Sequence, residues 1–346
     1  MAMEKMADLP PEPARLQDLQ LQAAWTETSD AQRNQLPRRF LLNDNGPDTD
    51  SSVIIFATDD HLRLLAEADT WLMDGCYAIA PAGFLQLYTI QVPLRSIGIP
   101  VVYALLQRKT QATYEEMFQA IQTACEERRL QPDPEKIILD FEAAAISAVK
   151  QGFGDDIGIQ GCYYHFTQST WRKVQELGLT NRYREDAEFR LLCGKLDGLA
   201  FLPPGDVREG MELLIASAPD DDEVMVLLTY FDLNYVTGTY RERPRRDNSQ
   251  LVLRHIPPRF LPNIWNVHDA TVTNNPRTNN ICEGWNARFQ SLAGHNHPTV
   301  WKLIKLLQGE EAVVSTKVLQ DSVGNPQVKR VKRVYVQQQQ RLQTLC

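Results

Sequence analysis

Several things are missing from this sequence, and each absence narrows the reading. No apolar run approaches the ~20 residues of a membrane span. The first fifteen residues lack the apolar core of a secretory signal. The six cysteines, at 76, 125, 162, 193, 282 and 346, have no framework spacing. They read as the reduced thiols of an intracellular protein rather than as a disulfide scaffold. No cysteine or histidine precedes His61, so no zinc finger precedes the core. Net positive charge is also lacking. The formal charge of −8 argues against a protein that coats nucleic acid over its whole surface, but leaves room for a local basic face.

What is present is ordinary globular composition, 43% hydrophobic and 23% charged over 346 residues. Residues 1–52 are polar and proline-rich, with nine acids against five bases, and read as a poorly ordered N-terminal segment. Residues 53–180 read as an α/β core. Ser52 to Phe56 is a short β-branched run, and Thr58 can cap a helix to Ala68. Strands follow around Thr70–Ile79, Phe84–Val92 and Ile99–Leu106, split by turns containing proline and glycine. Thr113 to Arg128 is amphipathic, with Tyr114, Met117, Phe118, Ile121 and Ala124 on one face. Then Lys136-Ile-Ile-Leu-Asp140 gives a buried strand ending in an acid, a helix follows from Ala143, and Gly158 to Cys162 gives a further strand.

Three hairpin-connected strands before an alternating α/β half is the order of a ribonuclease H-like fold, a mixed sheet flanked by helices. Residues 181–270 read as a mainly helical insertion with a basic loop, so that an all-helical insertion precedes the last catalytic helix. Residues 271–320 supply C-terminal helices that complete the core, and 321–346 form a basic tail.

In that fold the first and fourth strands are neighbours, which would set Asp74 beside Asp140. Adjacent carboxylates repel, and a divalent cation between them relieves the repulsion. The chemistry this suits is two-metal phosphoryl transfer, with a third acid from a later helix. Glu283 fits, in the first turn of a helix from Thr278 whose apolar side carries Ile281, Trp285, Phe289 and Leu292. Read alone, Asp140 serves equally as a helix N-cap, and Glu283 as an acid favoured by the helix dipole.

Four stretches carry a family resemblance. They are Trp71-Leu-Met-Asp-Gly-Cys-Tyr with Pro81-Ala-Gly-Phe-Leu-Gln-Leu-Tyr-Thr-Ile90, Pro100-Val-Val-Tyr-Ala-Leu-Leu106 with Ala112-Thr-Tyr-Glu, Ile138-Leu-Asp-Phe-Glu-Ala with Cys162-Tyr-Tyr-His165, and Thr278-Asn-Asn-Ile-Cys-Glu-Gly-Trp-Asn286. In this order they resemble the catalytic domain of Mutator-like element (MULE) transposases, especially the animal type. The resemblance implies an Asp-Asp-Glu DNA nuclease and strand transferase. Asp74, Asp140 and Glu283 would be its catalytic metal ligands, with two Mg²⁺ or Mn²⁺ ions as cofactors. Double-stranded DNA, as element ends and target, would be the partner, the nucleus the compartment and a homo-oligomer the assembly, with no membrane and no small-molecule cofactor.

Around that triad stand Cys162, His165, Cys76 and Glu142. Cys162 and His165 match a pair found in the family, yet they are half of a structural zinc set and serve equally as a packed thiol and a hydrogen-bonded ring. Cys76 replaces the family's more usual threonine, and a thiol there favours soft metals. Glu142 is an auxiliary acid or a helix-start residue. Candidate DNA contacts are Arg241, Arg243, Arg245 and Arg246, in a stretch that reads equally as a solvated loop, and Lys329 and Arg330 in the tail. A separate zinc-binding recognition module, common in such transposases, is not visible. The expectation is therefore a catalytic core without that module, or a degraded or host-adopted copy. Two rival readings remain: an inactive transposase-derived protein that binds DNA or another protein, and a different ribonuclease H-like nuclease.

Overall fold

The computed structural model describes residues 9–29, 36–46, 49–244, 251–328 and 332–346, with the side chains of 243, 244, 251 and 252 outside the description. The chain divides into two compact units. The first comprises Met1–Ile159 and Asn279–Arg330, and the second Gln160–Thr278 and Val331–Cys346.

The first unit is built on a sheet. Its strands are β1 (Leu41–Asp44), β2 (Val53–Phe56), β3 (Thr70–Cys76), β4 (Gln86–Leu94), β5 (Ile97–Leu106), β6 (Lys136–Leu139) and β7 (Gly158–Gly161). The second unit begins inside β7. The order across the seven-stranded sheet is β1-β2-β5-β4-β3-β6-β7. β3, β4 and β5 are an antiparallel meander, and β6 joins β3 in parallel. A meander with later strands added beside its first strand is the expected α/β arrangement, compatible with a ribonuclease H-like fold. β1 lies within the stretch read as poorly ordered. It pairs antiparallel with β2, which extends the sheet beyond β5.

Helices cover both faces. The first are α1 (Asp59–Ala66), α2 (Gln111–Glu127) and α3 (Ala143–Phe153). Thr58 and Thr110 cap α1 and α2 through their hydroxyls. The apolar stripe on α2 is buried as its spacing predicts, including Tyr114, Met117, Phe118 and Ile121. Phe153 joins α3 to the sheet and to α2, its ring edge-on to Trp71 at 5.2 Å and to Phe118 at 5.6 Å.

The second unit carries α4 (Tyr163–Glu176), α5 (Ala187–Gly198), α6 (Val207–Ala216) and α7 (Asp222–Phe231). Asp186 and Asp221 cap α5 and α7. Phe166 stacks on Trp265 at 4.8 Å and meets Phe231 and Tyr235 edge-on, forming the aromatic centre of this unit. The stretch read as all-helical with a basic loop also holds a hairpin. β8 (Thr239–Pro244) pairs antiparallel with β9 (Leu251–Ile256). The arginine-rich sequence hid a strand because β8 pairs only with β9 among the described residues and leaves Arg241 and Glu242 exposed.

The chain then returns to the first unit as α8 (Asn280–Ala293) and α9 (Val300–Ser322). Trp285, Phe289, Leu303, Ile304 and Leu307 of these helices bury against Phe40, Phe56, Leu87, Tyr103 and Leu105 of the sheet side. A last helix, α10 (Arg333–Leu345), belongs to the second unit, where Gln339 donates to the Thr271 carbonyl at 3.1 Å. Among the described residues no helix is long and apolar enough to cross a membrane.

Candidate active site

The parallel pairing of β3 with β6 matches Leu72 with Ile138. Continued by two residues, that register brings Asp74 level with Asp140. Side chains two apart on a strand share a face. Leu72 and Asp74 therefore share one, and Ile138 and Asp140 the same one. On this face Leu72 and Ile138 pack against Cys282 and Ile281 of α8. Glu283 is the next residue of that helix, in its first turn.

Helix α8 can come this close because β5 offers no side chain at Gly98. A Cβ there would lie 2.0 Å from Ile281 Cγ2. Two asparagines then fasten the helix to β3. The Asn279 amide donates to the Met73 carbonyl at 3.1 Å. The Asn286 amide donates to Asp74 Oδ2 at 2.7 Å. From behind, buried Glu310 of α9 accepts from Trp285 Nε1 at 2.8 Å and from Arg288.

The electrostatics follow from the crowding. Asp74 is only 7% exposed. Burial first, then the charges of Asp140 and Glu283, push its carboxyl up to about 7. Burial and then Asp140 raise Glu283 as well. The Asn286 hydrogen bond works in the opposite direction and keeps the Asp74 anion accessible. Asp140 accepts from the Phe141 N–H at 2.6 Å. A carboxyl that keeps its proton to about pH 7 through burial and then two neighbouring acids is poised to exchange that proton for a cation.

A model of the MULE transposase domain matches residues 70–169. Residues 70–169 are thus similar to the MULE transposase domain. The match spans Asp74, Asp140, Cys162 and His165 and stops well before Glu283. It does not separate the animal type from the rest of the family. No curated protein and no solved structure matches the chain. The MULE transposase domain suggests a nucleic-acid-processing function of the transposase kind.

The other candidates divide. Cys76 packs partly against the hydrophobic cluster under α8 and α9. Burial raises its thiol, which is the state least able to bind a metal. Glu142 is the residue before the first turn of α3, and its carboxylate, rather than capping the helix, accepts from the Tyr114 hydroxyl at 2.9 Å. Gln86, fully buried, donates to the same hydroxyl at 2.6 Å. In the second unit Cys162 is buried at the start of α4, and its Sγ lies within 4.8 Å of a ring nitrogen of His165. Arg241 is exposed on β8, opposite Arg254. Arg243 lies on the same strand. Arg245, Arg246, Lys329 and Arg330 lie outside the described residues.

Asn279 and Asn286 escaped the sequence reading as site residues, although both fall in the last matching stretch. Asn286 follows Glu283 by one helical turn, a spacing that puts both on neighbouring surface. That spacing was the available signal.

Proposed function

We propose that the chain is a DNA transposase core that cleaves and transfers DNA strands with Asp74, Asp140 and Glu283. The observation that carries this reading is that Asp140 and Glu283 both act on the buried Asp74, whose carboxyl burial and then their charges raise to about 7. The donor set is all carboxylate oxygen, which suits Mg²⁺ or Mn²⁺. The thiol of Cys76, held protonated by burial, does not compete for such ions. The residues thus fit a divalent site, and the three acids would hold the ions. When bound, a pair of such ions activates water or a DNA 3′-hydroxyl and stabilises the leaving oxygen.

The protein's own contribution is orientation and charge. Asn286 holds Oδ2 of Asp74 through its amide. Burial keeps Asp74 partly protonated at neutral pH until a cation displaces the proton, so cation affinity rises as pH rises toward 7. Docking of α8 through Ile281, Cys282, Asn279 and Asn286 fixes where Glu283 stands relative to the two aspartates.

The test is cleavage and joining of labelled duplex DNA in Mn²⁺. Asp140→Asn is expected to abolish both while leaving the far-UV spectrum and thermal transition intact. Retained cleavage would remove Asp140 from the reaction. Cleavage without end joining would favour a different ribonuclease H-like nuclease. Binding without cleavage by the unmodified protein would favour the inactive DNA-binding reading, with which the acidic pI of about 5.4 also agrees.

A further inference from the structure

β5 runs antiparallel to β4, and β4 antiparallel to β3, so β5 and β3 point the same way. The loop after β5 therefore emerges at the end of the sheet where Asp74 and Asp140 lie. It carries Lys109, and the turn after β3 carries Tyr77. Lys109 Nζ donates to the Tyr77 hydroxyl at 3.2 Å and lies 5.4 Å from the centre of its ring. Lys109 is exposed, and Tyr77 is 45% exposed. Neither side chain belongs to the buried core.

The Lys109 ammonium also stands within the field of Glu142 and Asp140. Tyr77 in turn is felt by Tyr114, whose hydroxyl bonds Glu142. An exposed cation and an exposed ring thus sit together at the margin of an acid cluster. That cluster repels a DNA phosphate wherever no cation intervenes. A compact ammonium beside it gives the backbone a favourable place to lie. An exposed aromatic ring accepts any base whose own stacking partner is missing, as at a frayed or cleaved end.

We propose that Tyr77 and Lys109 form a nucleotide subsite, in which the base flanking the scissile phosphate stacks on Tyr77 and the adjoining phosphate pairs with Lys109. The ligand class is the unpaired nucleotide at a DNA end. The inference rests on the reading of this unit as a DNA strand transferase, and it adds the residues that hold the strand rather than the cation.

The experiment is fluorescence anisotropy with the full chain, in Ca²⁺, using a fluorescein-labelled duplex that has a short 3′ overhang and a blunt duplex of the same sequence. Tyr77→Ala is expected to weaken overhang binding by about ten-fold, as loss of one base–aromatic stack does, with little effect on the blunt duplex. Tyr77→Phe, which keeps the ring, recovers most of that loss. Lys109→Ala is expected to lower affinity for both duplexes and to reduce the salt-dependence slope by about one, and Lys109→Arg restores it. Because both side chains are exposed, thermal transitions should not move. Unchanged overhang affinity in Tyr77→Ala and Lys109→Ala overturns the subsite. A parallel Mn²⁺ cleavage assay separates the two failures. If the unmodified protein does not cleave but the variants still lose overhang binding, the subsite stands and the catalytic reading falls. If it cleaves while the variants bind normally, the reverse holds.

Discussion

Replacing Asp74 with asparagine should make the protein more stable at neutral pH and inactive, a pairing that a structural acid would not give. In the unfolded chain this carboxyl ionises near its ordinary value of 3.8, whereas in the fold it holds its proton to about 7. Between those values the folded state binds more protons. The stability contribution is therefore complete below about pH 4 and is lost as pH rises through about 7. At about 1.4 kcal/mol per pH unit, the full loss is about 4 kcal/mol, a sizeable share of the 5–15 kcal/mol typical of a folded domain. The amide is nearly isosteric, keeps an acceptor for Asn286, and carries no charge to repel Asp140 and Glu283. Urea denaturation of the variant and the unmodified protein, from about pH 4 to about pH 8, gives the difference directly, and titrating groups remote from Asp74 cancel in it. The two should be nearly equal at the acid end and diverge in favour of the variant with rising pH. Mn²⁺ should then stabilise the unmodified protein, by about 2.7 kcal/mol at a hundredfold excess over Kd, and leave the variant unmoved. A variant that is less stable at about pH 8, or a difference flat across the range, would refute the charge-crowding argument.

Other expectations follow from the same unit. His61 is fully buried, neither ring nitrogen has a hydrogen-bond partner among the described residues, and burial followed by Arg38 and Arg39 depresses its ionisation from 6.5 to about 3. The fold therefore loses up to about 5 kcal/mol as pH falls between those values, and His61→Leu should flatten that acid limb in a pH-dependent urea titration. Gly98→Ala forces a methyl against Ile281 and should cost about 1–3 kcal/mol. Ile281→Ala in the same chain should recover part of that, and strict additivity in the double-mutant cycle would sink the contact. Glu310→Ala strands Trp285 Nε1 and frees Arg288, with a loss of about 3 kcal/mol, while Glu310→Gln should cost less in the same denaturation assay because it retains an acceptor.

The order of strands and helices was legible because it is written in local pattern. The apolar run Ile137–Leu139, the alternation along β3 and the stripe on α2 each report their own burial. Asp74 and Asp140 could be paired from sequence because a fold order implies which strands touch. What stayed hidden was polar and distant. Gln308, Glu310 and Glu311 look like the solvated side of α9, yet all three are buried. Gln308 reaches the Ala24 and Glu27 carbonyls, and Glu311 pairs with Arg38 at 2.9 Å. Those partners lie in the N-terminal stretch whose composition reads as poorly ordered, so neither side advertises the other. The hairpin β8–β9 was hidden for a related reason. Its strands carry Arg241, Glu242 and Arg254, and its register depends on backbone pairing that composition does not encode.

The first unit is written in two separate pieces of chain, with residues 160–278 between them. On a ribosome that emits about 5–20 residues per second, the sheet and both aspartates emerge on the order of ten seconds before α8. During that interval Leu72, Ile138 and the apolar side of β5 wait without their covering helix, and a chaperone has time to bind there. The delay also has a protective side. Until residue 283 is made the nascent chain holds only two of the three acids, so the centre proposed above cannot assemble before α8 emerges.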